Sequence, residues 1–135
     1  MSDVSLKGWH AEEIRFTNKI KPGLHVKLEH KFQYNVKYAG GNLCRCELSM
    51  DAINKEDPEI FGIHAVVVGM FSYREGVTKE AIHIQTYKEL FPFARALISS
   101  VTANAGVPPI IFPSVDIEKQ SIIRFDMNNL RGDSQ

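Results

Sequence analysis

The sequence predicts an α+β fold in which a four-stranded antiparallel sheet is followed by one long helix. Two segments, Leu24 to Tyr38 and Leu43 to Ile53, alternate apolar and polar residues with a period of two. A third segment, Ile60 to Tyr73, is apolar on both faces, and apolar residues at helical spacing follow from Leu90 to Ala105. Strands that come first and helices that come last are typical of α+β domains.

The first three strands are each predicted from the spacing of their apolar residues. Glu12 to Ile20 places Ile14 and Phe16 on one face of a first strand. The second strand, Leu24 to Tyr38, has the strict alternation of a half-buried antiparallel strand. Its apolar positions are Val26, Leu28, Phe32, Tyr34, Val36 and Tyr38. A turn with two glycines follows, and the third strand, Leu43 to Ile53, completes a hairpin.

The fourth strand is predicted from the run "IFGIHAVVVGMFSY", residues 60–73, which has apolar residues on both of its faces. Such a run is typical of a central strand that is covered on both sides. Few elements remain in the chain to cover both faces. We therefore expect the protein to form oligomers.

The long helix is predicted around "ELFPFARALISSVTANAG", residues 89–106. Thr78 is a suitable N-cap for an earlier helical stretch. Pro92 fits a first helical turn, so we expect the long helix to begin there, or an earlier helix to kink there. One side is apolar and faces the sheet. The opposite side has small residues and predicts an oligomer interface at Ser99, Thr102 and Ala103.

Residues 107–113, "VPPIIFP", follow the glycine that ends the helix and combine prolines with apolar side chains. The prolines prevent both a helix and a regular strand. Two interpretations remain open for Ile110, Ile111 and Phe112. The segment either covers the edge of the sheet and is buried there, or it borders an apolar groove that binds extended nonpolar segments of other chains.

Composition excludes several classes of protein. The chain has 135 residues, the size of one domain, and we expect residues 1–11 and 127–135 to be frayed ends of that domain, 1–135. Lys plus Arg and Asp plus Glu number 16 each, so no basic excess indicates a nucleic-acid partner. We find no signal peptide and no membrane-spanning stretch, and we expect a cytoplasmic location. Cys44 and Cys46 are expected to be reduced and packed, without a metal or another cofactor.

Catalytic motifs are absent from the pattern of residues. The glycines do not have the spacing of a phosphate-binding loop. His64, on the central strand, is interpreted as a satisfied core or interface histidine. The alternative is an enzyme, for instance a small thioesterase-like protein with His64 and Glu47 as its acid and base. We expect the protein not to be an enzyme.

The motif "LFPFAR", residues 90–95, resembles one in the SecB protein-export chaperones, whose long helix opens with Leu-Phe-Pro-Tyr-Ala-Arg. Phe93 takes the aromatic place after the proline. "VKLE", residues 26–29, and "GMFSY", residues 69–73, are similar to the family's motifs in its second and fourth strands. The resemblance covers Glu12 to Ile117. It implies a SecB-like subunit whose sheet joins a second sheet, with two such layers enclosing the helices of a tetramer, a dimer of dimers.

The resemblance also implies an ATP-independent holdase that binds unfolded polypeptides in apolar grooves and passes them to the SecA motor for export. A family glutamate that contributes to the SecA surface is His64 here, and the crossover before the second strand is short. Two alternatives remain: a dedicated chaperone for one client, such as an antitoxin, and a non-chaperone adaptor. The groove residues that we predict are Phe16, Val26, Leu28, Phe32, Ile110 and Phe112.

Overall fold

The computed structural model describes residues 3–113, and it has the predicted α+β architecture of four antiparallel strands followed by one long helix. The strand order in the sheet is β1-β4-β3-β2, so β1 and β2 are the edge strands. The elements are β1 (Val4–Asn18), β2 (Leu28–Ala39), β3 (Leu43–Asn54), β4 (Phe61–Tyr73) and α1 (Lys79–Asn104).

Strand β1 is longer than the sequence predicts, because it begins at Val4, where it pairs with Tyr73 of β4. Residues 4–11 therefore belong to the sheet, and the expectation of a frayed segment over residues 1–11 is wrong for them. Register shifts at Leu6/Gly8 and Ala11/Glu13 interrupt the period of two, so alternation could not extend the strand to its true start. The expected tail at 127–135 lies outside the described residues.

Helix α1 begins at Lys79, and Pro92 lies inside it, so the prediction that the long helix begins at Pro92 is wrong. Thr78 caps the helix, since its hydroxyl accepts a hydrogen bond from Ala81 N at 3.1 Å. Pro92 is on the exposed side of α1. The buried residues on either side of it, Leu90 and Ala94, pack on the sheet, and this packing outweighs the loss of one backbone hydrogen bond.

Helix α1 covers one side of the sheet, which we call the helix face. Gly69 of β4 allows the close approach, because a Cβ placed there would lie 2.9 Å from Leu90 Cδ1. Cys44 and Cys46 are fully buried on this face as free thiols, and burial, with Cys46 beside it, raises the pKa of Cys44 to about 12. The strand side of the core consists of Val4, Tyr34, Cys44, Cys46, Leu48, Met50, Ala52, Phe61, Ile63, Ala65, Val67 and Phe71.

The opposite side of the sheet, the outer face, is not covered by any element within residues 3–113. The apolar residues of β4 that lie there are Val66, Val68 and Met70. Val68 is fully buried among the side chains of neighbouring strands, whereas Met70 is exposed. We expected β4 to be covered on both faces, but the described part of the chain covers only its helix face.

Candidate functional site

An apolar cavity of about 460 Å³ lies on the helix face beside edge strand β2. It is enclosed by the loop before β2, the start of β2 and β4, and residues 106–113, which follow α1 and which we call the strap. We call this cavity the groove. Its lining consists of Ile20, Val26, Leu28, His30, Phe61, Gly106, Val107, Pro108, Pro109, Ile110 and Ile111.

The strap reaches this position because the chain turns sharply at the end of α1. Gly106 has a φ of 85°, which a side chain would strain, and it ends the helix as the sequence predicts. Ile110 N then donates a hydrogen bond to Thr102 Oγ1 at 2.8 Å. Ile110 and Phe112 are only 6% and 2% exposed, and the Phe112 ring lies edge-on to His30 at 4.9 Å. The strap is thus buried against the sheet, as one of the two interpretations predicted.

Ile111 has the opposite orientation to its two neighbours. In an extended segment successive side chains point to opposite sides, so the burial of Ile110 and Phe112 turns Ile111 outward. Its side chain is 65% exposed and it lines the groove. The sequence pattern contained this signal, because Ile110 and Phe112 share a side of the strap, but the binding role was predicted for those two and not for Ile111.

Three of the six predicted groove residues line the groove: Val26, Leu28 and Ile110. Phe16 lies behind its wall, with its ring edge-on to Phe61 at 5.6 Å. Phe112 is a buried support of the strap, so its prediction as a client-facing residue is wrong. Ile20 and Val107 were missed because they lie in the loop and the strap, whose positions the strand periodicity does not determine, and Phe61, at the start of β4, was missed because it lines the groove only through its position beside that loop and strap.

Phe32, the remaining predicted residue, belongs to an aromatic cluster between β2 and α1. Its ring lies 5.8 Å from that of Tyr87, which in turn contacts Tyr34 and Phe91. Tyr34 O–H donates to Thr86 Oγ1 at 2.5 Å, since the Thr86 hydroxyl donates to Ile82 O. The Tyr87 hydroxyl is buried without a hydrogen-bond partner among residues 3–113, and burial raises its pKa to about 12.

The predicted oligomer interface on α1 is only partly accessible. Ala103 is exposed and Ser99 is half-buried, but Thr102 is fully buried within the subunit, so its assignment to an interface is wrong. The exposed side of the helix carries an aromatic residue instead. Phe93 is 40% exposed and stacks on Trp9 of β1 with ring centroids 5.3 Å apart.

His64 lies on the outer face between two carboxylates. Its Nδ1 is 2.7 Å from Asp51 Oδ1, and its Nε2 is 3.2 Å from Glu13 Oε1. Glu47 is opposite Val68 and is not a partner of His64, so the acid and base pairing in the enzyme hypothesis is wrong. The cluster joins β1, β3 and β4, which is a structural role for the histidine.

Residues 3–113 contain no group of three or more His, Cys, Asp or Glu side chains arranged to hold a metal ion. Over the same range, no helix is long and apolar enough to cross a membrane.

The family model described as preprotein translocase subunit SecB matches residues 1–120. The chain belongs to the SecB family. The resemblance first seen in "LFPFAR" is thereby confirmed, and the SecB match includes every strand, the helix and the strap.

SecB relatives match different shares of the chain. The protein-export protein SecB of Afipia carboxidovorans is 35% identical over 65 residues, which are 45% of this chain and 40% of that protein. The SecB of Caulobacter vibrioides is 30% identical over 89 residues, 62% of this chain and 54% of its own length. That of Caulobacter sp. strain K31 is 25% identical over 118 residues, 84% of this chain and 70% of its own. The chain thus spans about half the length of the first two.

A solved structure shares the SecB fold. It is a SecB-like chaperone of Mycobacterium tuberculosis in complex with a peptide from an antitoxin. The TM-score is 0.67 at 14% identity, and the match covers 84% of this chain and 91% of that one. The likeness confirms the predicted fold.

Proposed function

We propose that this SecB-family protein is an ATP-independent chaperone, a holdase, that binds unfolded polypeptides in its apolar groove. The observation that carries the proposal is the groove itself, whose lining residues, except His30, have apolar side chains or are glycine, and which includes the 65% exposed Ile111. A cavity of about 460 Å³ accommodates a few side chains of an extended segment. A folded protein keeps such side chains in its own core.

A holdase needs apolar surface and no reacting groups. Burial of a client's apolar side chains contributes about 25 cal/mol for each Å² removed from water. The groove borders edge strand β2, so a client in an extended conformation could lie along the strand and place alternate side chains in the groove. The SecB family is in general a family of chaperones without enzymatic activity, which supports this class of function.

The proposal includes a homotetramer, a dimer of dimers. Trp9, Ile14 and Phe93 are exposed apolar residues on the helix face of this subunit, where a second copy would cover them. Ala103 and Ser99 lie on the same helix and extend the surface. Several grooves in one assembly would hold an unfolded chain by many weak contacts, whereas a folded chain reaches one at most.

A role in protein export, in the cytoplasm and with SecA as the receiving partner, is the finer form of this proposal. The names of the SecB relatives support export. The outer face gives SecA less support, because His64 is held between Asp51 and Glu13 at the position where the family resemblance implies a glutamate. We therefore propose client binding first and transfer to SecA second.

A second candidate is a dedicated chaperone for one client. It is favoured by the Mycobacterium tuberculosis relative in fold, which was solved with a peptide from an antitoxin. A single-client chaperone would protect its cognate client and leave unrelated unfolded proteins to aggregate. A non-chaperone adaptor would instead bind one folded partner.

The proposed function is tested by light scattering from a chemically unfolded protein, diluted into buffer with an equal concentration of subunits. We expect the protein to suppress aggregation without ATP. Aggregation at the rate seen without the protein, for several unrelated clients, would contradict a general holdase. Protection of one client alone would support the dedicated chaperone.

A further inference from the structure

We propose that Thr102 is a positioning residue for the groove: its hydroxyl fixes the register of the strap and so determines that Ile111 faces the client. The inference rests on the proposed function, because it assigns a part in client binding to a residue buried beneath the strap. Thr102 does not line the groove and is fully buried, so any effect on binding passes through the strap.

The Thr102 hydroxyl both donates and accepts a hydrogen bond. Its O–H donates to Ile98 O at 2.9 Å, with Ser99 O at 3.1 Å as a second acceptor. Its oxygen accepts from Ile110 N at 2.8 Å. A hydroxyl that donates to its own helix presents a lone pair in a fixed direction, and the Ile110 amide meets it there.

Within residues 3–113, the Ile110 to Thr102 bond is the one hydrogen bond that joins residues 107–113 to the rest of the protein. Pro108, Pro109 and Pro113 have no amide hydrogen, which leaves few donors for other bonds. Apolar contacts of Ile110 and Phe112 hold the strap down, but apolar contacts are not directional. The directional part of the attachment is therefore Thr102.

Register matters here because the strap contains three large apolar residues in a row. Ile110 and Phe112 face inward and Ile111 faces outward. A shift by one residue would reverse every side chain of an extended segment, placing Ile111 in the core and its two neighbours in water. Since isoleucine occupies both positions 110 and 111, hydrophobicity alone barely distinguishes the two registers. The hydrogen bond from the Ile110 amide to Thr102 does distinguish them.

Helix α1 contains a matched control. Thr86 is also fully buried, and its hydroxyl also donates to the carbonyl four residues before it, Ile82 O, at 2.7 Å. Its oxygen accepts from the Tyr34 hydroxyl and not from the strap. Thr86→Val therefore makes the same chemical change in the same helix without touching the groove.

The test compares Thr102→Val, Thr102→Ser and Thr86→Val in the full chain. Hydrogen exchange of the Ile110 amide, followed by NMR, reports the strap, and the Ala94 amide reports the helix. The dissociation constant is measured for a permanently unfolded probe, reduced and carboxymethylated lactalbumin carrying a fluorophore. We expect T102V to speed Ile110 exchange at least tenfold relative to Ala94 and to weaken probe binding about fivefold. T102S should restore the wild-type exchange rate and probe affinity, and T86V should leave these two quantities unchanged.

Several results would overturn the inference. These are an Ile110 exchange rate in T102V equal to the wild type, faster exchange with an unchanged dissociation constant, or no rescue by serine. If T102V does not fold, T102A carries the same expectations. Failure of the wild-type protein to bind the probe would contradict the proposed function. Thr102 would then lose its part in binding, while the Ile110 amide would still report whether it holds the strap.

Discussion

Tyr34 and Tyr87 lie side by side in the aromatic cluster, with ring centroids 5.3 Å apart, but only one of their hydroxyls has a hydrogen-bond partner within residues 3–113. Tyr34 donates to Thr86 Oγ1, whereas the Tyr87 hydroxyl has no partner among the described residues. A buried polar group without a partner costs stability, and a paired one contributes about 1 kcal/mol. The two tyrosines should therefore respond differently to loss of the hydroxyl.

We predict that Tyr34→Phe lowers the free energy of unfolding by about 1–2 kcal/mol, because it leaves Thr86 without its donor. Tyr87→Phe should leave the free energy unchanged or raise it by up to about 1 kcal/mol. Urea denaturation followed by circular dichroism measures both. Equal destabilisation by the two substitutions would contradict the assigned hydrogen bonds.

Single side chains show where the sequence was sufficient and where it was not. Leu28 was predicted to line the groove and does so, because the period-two alternation of β2 places it on the helix face, whereas Val26, also predicted, lines the groove from the loop before β2. Phe112 was predicted to line the groove and is buried, and the exposed Ile111 was left out of the predicted set, because the side that an irregular segment presents depends on one tertiary hydrogen bond, Ile110 N to Thr102 Oγ1. No local pattern encodes that bond.

At the scale of the elements, α1 approaches β4 closely at Gly69. The nearest neighbours of a Cβ at that position would be Leu90 Cδ1 at 2.9 Å and Phe71 Cε1 at 3.0 Å, both on fully buried side chains. Gly8 of β1 is a suitable control, because a Cβ there would meet nothing within 4 Å. Both glycines are in strands, so their backbone preferences are comparable.

We predict that Gly69→Ala lowers the free energy of unfolding by about 1–3 kcal/mol, since overpacking forces buried side chains to shift. Gly8→Ala should change it by less than about 0.5 kcal/mol. Thermal and urea unfolding of the two variants would check this. A G69A protein as stable as the wild type would show that α1 does not pack on β4 as described.

The ends of an element were predictable where its apolar periodicity was uninterrupted. They were not predictable where bulges or tertiary packing changed the local pattern. β3 and β4 were predicted almost to the residue because their apolar pattern is uninterrupted. β1 begins eight residues earlier than predicted because two bulges hide its alternation. α1 begins thirteen residues before Pro92 because tertiary packing outweighs the local preference of proline.

At the scale of the whole molecule, the exposed Trp9 and Phe93 stack is the feature a single subunit leaves unexplained. We predict that the wild-type protein is an oligomer and that Phe93→Glu lowers its mass towards that of a smaller assembly, because a charge in an apolar interface is costly. Gln33→Glu, on the outer face of β2, should not change the mass. Size-exclusion chromatography with light scattering measures all three.

A monomeric wild-type protein, or an unchanged mass for F93E, would contradict the assignment of this surface to a second copy. The sequence alone suggested an interface on the small residues of α1. The aromatic surface was missed because Trp9 was placed in a frayed end, and its proximity to Phe93 follows from the length of β1.

Function at this scale was predicted by resemblance and not by chemistry. The charge balance gave no indication of a nucleic-acid partner and we found no catalytic motif, and only "LFPFAR" and its accompanying motifs indicated the SecB family, which the match over residues 1–120 confirmed. We propose the apolar groove as the client-binding site of this chain. The client remains a prediction, because apolar contacts specify extended hydrophobic segments and not one sequence.

The central claim is that unfolded polypeptides bind in the groove, and Ile111 tests it most directly. Ile111→Asp places a charge at the groove mouth, and Met70→Asp places the same charge at an exposed apolar residue of the outer face. The measurement is the dissociation constant of an unfolded, fluorescently labelled client by anisotropy. We predict that I111D weakens binding at least tenfold and that M70D binds as the wild type does. Wild-type affinity in I111D, or an equal loss in M70D, would contradict the account.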